Sequence, residues 1–133
     1  MDEFSLKLSF DFTKEDKEAC KPTINKIVKL AELTRQSGVA EWKKEFENDS
    51  SKFLKIAICL TGQGMNPVII DEILQNIIIA DGCSGFELLD KILIYEGIKA
   101  IRTGENPQFV EWILLSLLGE EFLPYDEIIN GFG

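Results

Sequence analysis

The sequence predicts a mainly α-helical single domain. It reads as a compact bundle of about six to seven helices, including two related helical hairpins (about 50–80 and 86–118), with one N-terminal β-strand (about 3–12). Three observations predict it. The chain has 133 residues, 45% of them apolar and 28% charged, which is one globular domain's length and balance. From Thr13 onward apolar residues recur three and four apart, the spacing of a helix face. Before Thr13 they alternate, as in a strand.

The elements follow in chain order. Phe4, Leu6, Leu8, Phe10 and Phe12 alternate with Ser5, Lys7, Ser9 and Asp11, so residues 1–12 form an N-terminal strand or arm. A lone strand leaves its peptide groups unpaired and needs a mate. Pairing with the same strand of a second copy, giving a homodimer, is the expectation. A short C-terminal strand, another protein and packing onto its own helices are the alternatives. The helical core spans 13–119. Thr13 caps a short helix through Cys20, and Pro22 restarts the chain into a helix whose Ile24, Ile27, Val28 and Ala31 share a face. Gly38 suits its C-terminal end. Residues 39–48, with Val39, Trp42 and Phe46 in register, predict another helix. The Asn48-Asp49-Ser50-Ser51 stretch supplies a turn and an N-cap for a helix to about Thr61. Pro67 opens a helix to about Ala80, a loop covers 81–85, and helices follow at about 86–102 and 107–118. Residues 120–133 read as a tail with one helical turn.

Two of these helices repeat each other. Ile69, Ile70, Ile73, Leu74, Ile77 and Ile78 follow Asn66-Pro67; Phe109, Val110, Ile113, Leu114, Leu117 and Leu118 follow Asn106-Pro107, each forty residues on. Thr61-Gly62 and Thr103-Gly104 precede them. The unit is helix, Thr-Gly, loop, Asn-Pro, helix, twice over. Two units are too few for an open solenoid, so they are expected to pack on each other.

Charge and composition exclude many functions. Fourteen basic residues against 23 acidic ones leave a net charge of -9, which argues against a nucleic-acid binder. Residues 1–66 balance, whereas residues 67–133 hold only Lys91, Lys99 and Arg102 against twelve acids. That half is a solvated acidic face or a dock for a basic partner. With no histidine, Ser-His and Cys-His catalysis and histidine metal sites are excluded. Cys20, Cys59 and Cys83 are odd in number and widely spaced, which suits reduced thiols and a cytoplasmic location. The opening MDEFSLKLSF is unlike a signal peptide, and no apolar run reaches the roughly 20 residues of a membrane span. The stretch GQGMNP lacks the lysine of a phosphate-binding loop, and no cofactor is expected. Adjacent acids such as Asp71-Glu72 and Glu120-Glu121 point apart on a helix and make poor acid–base pairs. Asp81, Glu87 and Asp90 are the carboxylates nearest to a hard-cation set, though caps and solvated charges account for them, and no metal site is assigned.

The residues YEGIKAIRTGENPQFVEWILLSLL (95–118), KLAELTRQSGVAEWKKEFEN (29–48) and FLKIAICLTGQGMNPVIIDEIL (53–74) carry a resemblance. In order and spacing they resemble the cytoplasmic portion of the MotA-type flagellar motor stator family, without its transmembrane helices. Glu96-Gly97, Gly104-Glu105-Asn106-Pro107 and Leu117-Leu118 fit that family's pattern residue by residue. About 20 residues around Asp81–Gly85 stand where the family has membrane helices, so its ion-channel function is not implied. The resemblance implies instead a protein partner, a flagellar rotor or stator component. It would be met by Arg35, which matches the family's basic position, and by Glu41, Lys43, Lys44 and Glu45 around the altered acidic one. The resulting expectation is a non-catalytic protein–protein interaction module. A small carboxylate-based metal-dependent enzyme or metal sensor is the alternative, and a purely structural homo-oligomer is a third reading.

Overall fold

The computed structural model describes residues 12–131, and these residues form an all-α protein. In chain order the helices are α1 (Lys14–Ala19), α2 (Lys21–Ser37), α3 (Trp42–Phe46), α4 (Lys52–Gly62), α5 (Pro67–Asp81), α6 (Gly85–Arg102), α7 (Pro107–Leu118) and α8 (Tyr125–Asn130). Short 3-10 turns occupy Gly38–Glu41 and Glu120–Phe122. No strand occurs among the described residues. The strand expected at 3–12 lies outside them except for Phe12, which is half-buried against the core.

Local chemistry explains four of the eight helix starts. Thr13 and Asp16 form a reciprocal capping box, each side chain accepting the other's backbone N–H at 3.1 Å. Ser51 accepts from the Leu54 amide at 3.1 Å, and Asp49 from the Ser51 amide at 2.9 Å, so the expected Asn-Asp-Ser-Ser turn is also the cap of α4. Asn66 and Asn106 accept from the Val68 and Phe109 amides, both at 2.9 Å, ahead of Pro67 and Pro107. Each such cap is worth about 1 kcal/mol. One expectation needs correction. Residues 39–48 do not form one helix: the chain turns through a 3-10 segment at Gly38–Glu41, and α3 has only five residues. The tail carries its expected short helical stretch as α8, which buries no residue.

The hairpin repeat holds throughout at a spacing of forty, not only in its second helices. The buried residues of α4 are Phe53, Leu54, Ala57, Ile58 and Thr61; forty residues on, Leu93, Ile94, Gly97, Ile98 and Ile101 are buried in α6. Ile70, Leu74 and Ile78 of α5 correspond to Val110, Leu114 and Leu118 of α7, all at 2% exposure or less. The turns match as well. Gly64 (φ 72°) and Gly104 (φ 87°) take the conformation that favours glycine, and their amides donate to Thr61 and Ile101 at 3.1 and 3.0 Å. This corrects the pairing of Thr61-Gly62 with Thr103-Gly104, which is two residues out of register. Gly62 is an ordinary last residue of α4, and Gly64 is the true counterpart of Gly104.

The hairpins do pack on each other, through α6. This helix lies against α1, α2, α4, α5 and α7, and nine of its eighteen residues are buried. The α2 helix lies against both α6 and α7, while α3 covers α4. The α2–α6 crossing is close enough that a Cβ on Gly97 would stand 2.5 Å from Cγ2 of Ile27. No helix among the described residues is long and apolar enough to cross a membrane.

Candidate functional site

The charged corner expected to meet a partner is built by the end of α2, the 3-10 turn and α3. Its anchor is Trp42, which is fully buried. The Trp42 indole donates to the Thr34 hydroxyl at 2.8 Å, and that hydroxyl donates to the Leu30 carbonyl at 2.7 Å. With Trp42 turned inward, Lys43, Lys44 and Glu45 on α3 are exposed, as are Glu41 at the end of the 3-10 turn and Arg35 near the end of α2. Glu45 forms an ion pair with Lys29. Arg35 and Lys43 do not share a cavity. Arg35 lines one of about 160 Å³ beside Gly104 and Glu105, and Lys43 one of about 240 Å³ beside Ile58 and Cys59.

A cleft of about 840 Å³ opens between the starts of α2, α4 and α6 and the end of α5. Asp81, Glu87 and Asp90 do line it, together with Lys26, Lys52 and Lys91. Protein partners occupy most of these charges. Lys91 donates to Asp81 at 2.6 Å and to the Cys83 sulfur at 3.5 Å. The bond to Asp81 raises the Lys91 pKa against the opposing effect of burial, and Cys83 adds to the rise. Lys26 meets Asp49 at 2.7 Å. Burial raises the Asp49 carboxyl, but the Lys26 ammonium and the Ser51 amide outweigh it and hold the pKa below the usual range. Asp90 accepts from the Thr23 hydroxyl. Burial holds its carboxyl above the usual range, although Thr23 and Lys26 pull it down. Among the described residues no three Cys, Asp or Glu side chains are placed to hold a metal ion, so Asp81, Glu87 and Asp90 do not assemble as a ligand set.

Among the cysteines, Cys20 is sealed in the core. Burial, with Asp90 and Asp16 nearby, pushes the Cys20 thiol up to about 12, so it stays protonated and inert at neutral pH. Cys59 and Cys83 are half-buried and free.

The outer side of the second hairpin helices was only half legible in the sequence. The six matched apolar positions in each split into two sets. Ile70, Leu74 and Ile78, with Val110, Leu114 and Leu118, face the core. The residues one earlier face outward: Ile69 is 47% exposed and Phe109, its counterpart, 46%. Ile73 is half-buried and Ile113 is 37% exposed. Val68 and Ile79 add to the outer face of α5 at 73% and 66%. Apolar doublets at helical spacing carry this signal, since one helix side cannot bury both members. Trp112 tilts against Phe109 at 5.9 Å, and its indole N–H is buried without an acceptor among the described residues.

No protein-family model, curated protein or solved structure matches the chain. The stator resemblance therefore rests on the residues quoted for it, and two of those have local reasons. Gly104-Glu105-Asn106-Pro107 is the hairpin turn that Gly64-Met65-Asn66-Pro67 also makes, and Gly97 is required by Ile27.

Proposed function

We propose that this protein is a non-catalytic protein–protein interaction module. The observation that supports this reading is the apolar outer face repeated on α5 and α7, which the hairpins' own packing leaves in water. Exposed apolar surface of this kind marks sites where another molecule docks. The charged corner of Arg35, Glu41, Lys43, Lys44 and Glu45 is proposed as a second, selectivity-setting contact. A flagellar rotor or stator component is the partner to seek first, on the resemblance alone. Immobilised full-length chain, presented to native cytosol, should retain a small set of proteins that a chain with Val68→Gln and Ile69→Gln does not. Identical recoveries from both, or none above background, would refute the module.

We further propose that residues 4–11, in which Phe4, Leu6, Leu8 and Phe10 alternate with polar residues, pair as a strand with a second copy, while Phe12 packs on the chain's own core. Their strict alternation supports this, and the N-terminal half carries no net charge to oppose it. Light scattering should give a dimer for the full chain and a monomer after Leu6→Pro and Leu8→Pro. A monomeric parent, or an intact dimer in the double variant, ends the proposal.

A further inference from the structure

We infer that the outer face of α5 is a seat for a cationic amphipathic helix of a partner protein; this rests on the interaction-module reading and gives the partner its chemistry. Successive residues of a helix are about 100° apart, which places Val68, Ile69, Glu72, Ile73, Asn76 and Ile79 on the side of α5 opposite its core residues. Val68, Ile69 and Ile79 are 73%, 47% and 66% exposed, Ile73 is half-buried, and Glu72 is the one charge in the group. A helix this apolar on both sides belongs under cover. Its counterpart α7 repeats the arrangement at Phe109 and Ile113, so outward apolar character recurs where neither hairpin's core uses it.

Charge selects the occupant. The C-terminal half has only three bases, and all are engaged within the fold. Lys91 holds Asp81 at 2.6 Å, Arg102 pairs with Asp71 and donates to the Pro67 carbonyl at 3.1 Å, and Lys99 stands over the Tyr95 ring at 5.6 Å. No basic side chain occurs from Pro67 to Asp90, so none stands on α5 to answer an acidic partner. A second copy docking here would bring the same acid excess against itself, and an anionic membrane surface would be repelled in the same way. A helix with Leu or Ile on one side and Lys or Arg on its flanks matches both the stripe and the field.

The test uses the full chain and a synthetic Leu/Lys amphipathic helix, with a Leu/Glu helix of the same length as its opposite. Calorimetric titration in low salt should show binding of the Leu/Lys peptide and none of the Leu/Glu peptide. Val68→Gln with Ile69→Gln, which leaves the net charge unchanged, should weaken binding at least tenfold. Ile79→Gln and Glu72→Lys should each weaken it severalfold, and Ile129→Gln, on exposed α8, should have no effect. Equal binding of both peptides, or insensitivity to the α5 substitutions with unchanged thermal unfolding, would overturn the inference. So would α5-dependent binding to phosphatidylglycerol vesicles in preference to the peptide. If the cytosol experiment yields a partner while the peptide ignores α5, the module stands and this assignment falls; if the cytosol yields nothing, the module falls first.

Discussion

Asp90 concentrates the conflict between burial and charge in one residue. Its carboxyl is half-buried at the rim of the large cleft, facing Lys26 and Asp49 and satisfied by the Thr23 hydroxyl, and burial lifts its pKa above the unfolded value. The folded chain therefore holds this proton to higher pH than the unfolded chain does. Its contribution is most favourable below the ordinary carboxylate range and is lost as pH rises through the lifted value. Asp90→Asn retains an oxygen to accept from Thr23 and removes the charge. Its Tm should exceed that of the parent at pH 7, and the gap should close as pH falls below the usual aspartate pKa. Thermal unfolding at several pH values checks this, and a lower Tm for Asn at pH 7 would contradict it. Asp90 could be named in the sequence as a carboxylate near Asp81 and Glu87. Its tie to Thr23, 67 residues away, could not.

Among the elements, α2 and α6 cross closely at Gly97 and Ile27. Gly97 permits it, because any Cβ there would press on the branched carbon of Ile27, which cannot swing away. Gly97→Ala gains up to about 1 kcal/mol of helix propensity. The overpacking costs roughly 1–3 kcal/mol, so the net effect should be destabilising. Denaturant titration should show a lower midpoint with an unchanged slope. A smaller loss from Gly97→Ala in an Ile27→Ala background, which lacks both clashing carbons, than in the parent would locate the clash; a more stable Gly97→Ala would mean the helices stand further apart. The sequence showed a glycine inside a helical pattern but gave no reason for it, since the reason belongs to another helix. Helix positions and caps were legible because Thr13, Ser51, Asn66 and Asn106 act on amides two or three residues away. Residues 39–48 misled because Val39, Trp42 and Phe46 keep helical spacing across a 3-10 turn, where the register of side chains outlasts the α geometry.

For the molecule as a whole, the repeat was legible in α5 and α7 and hidden in α4 and α6. In the second helices apolar residue meets apolar residue; in the first, Ala57 answers to Gly97 and Thr61 to Ile101, pairs alike only in being buried. The candidate site was legible to the same extent. The acid excess and the apolar doublets are in the sequence, but which member of each doublet meets water depends on where α6 and α2 lie. The charged corner could be listed residue by residue, yet its division between separate cavities depends on which distant segments lie beside it, the α6–α7 turn at Arg35 and the end of α4 at Lys43.

The placement of α2 has a consequence for how the chain is made. Its inner face, Ile24, Ile27, Leu30 and Ala31, finds its shelter against α6 and α7, which are synthesised some 70 residues later. At a translation rate of roughly 5–20 residues per second, that face waits several seconds without its cover. Hairpin α4–α5 emerges in the interval but packs chiefly on α3 and α6 and not on α2. The nascent chain thus carries the inner face of α2 without its main cover until α6 and α7 leave the ribosome.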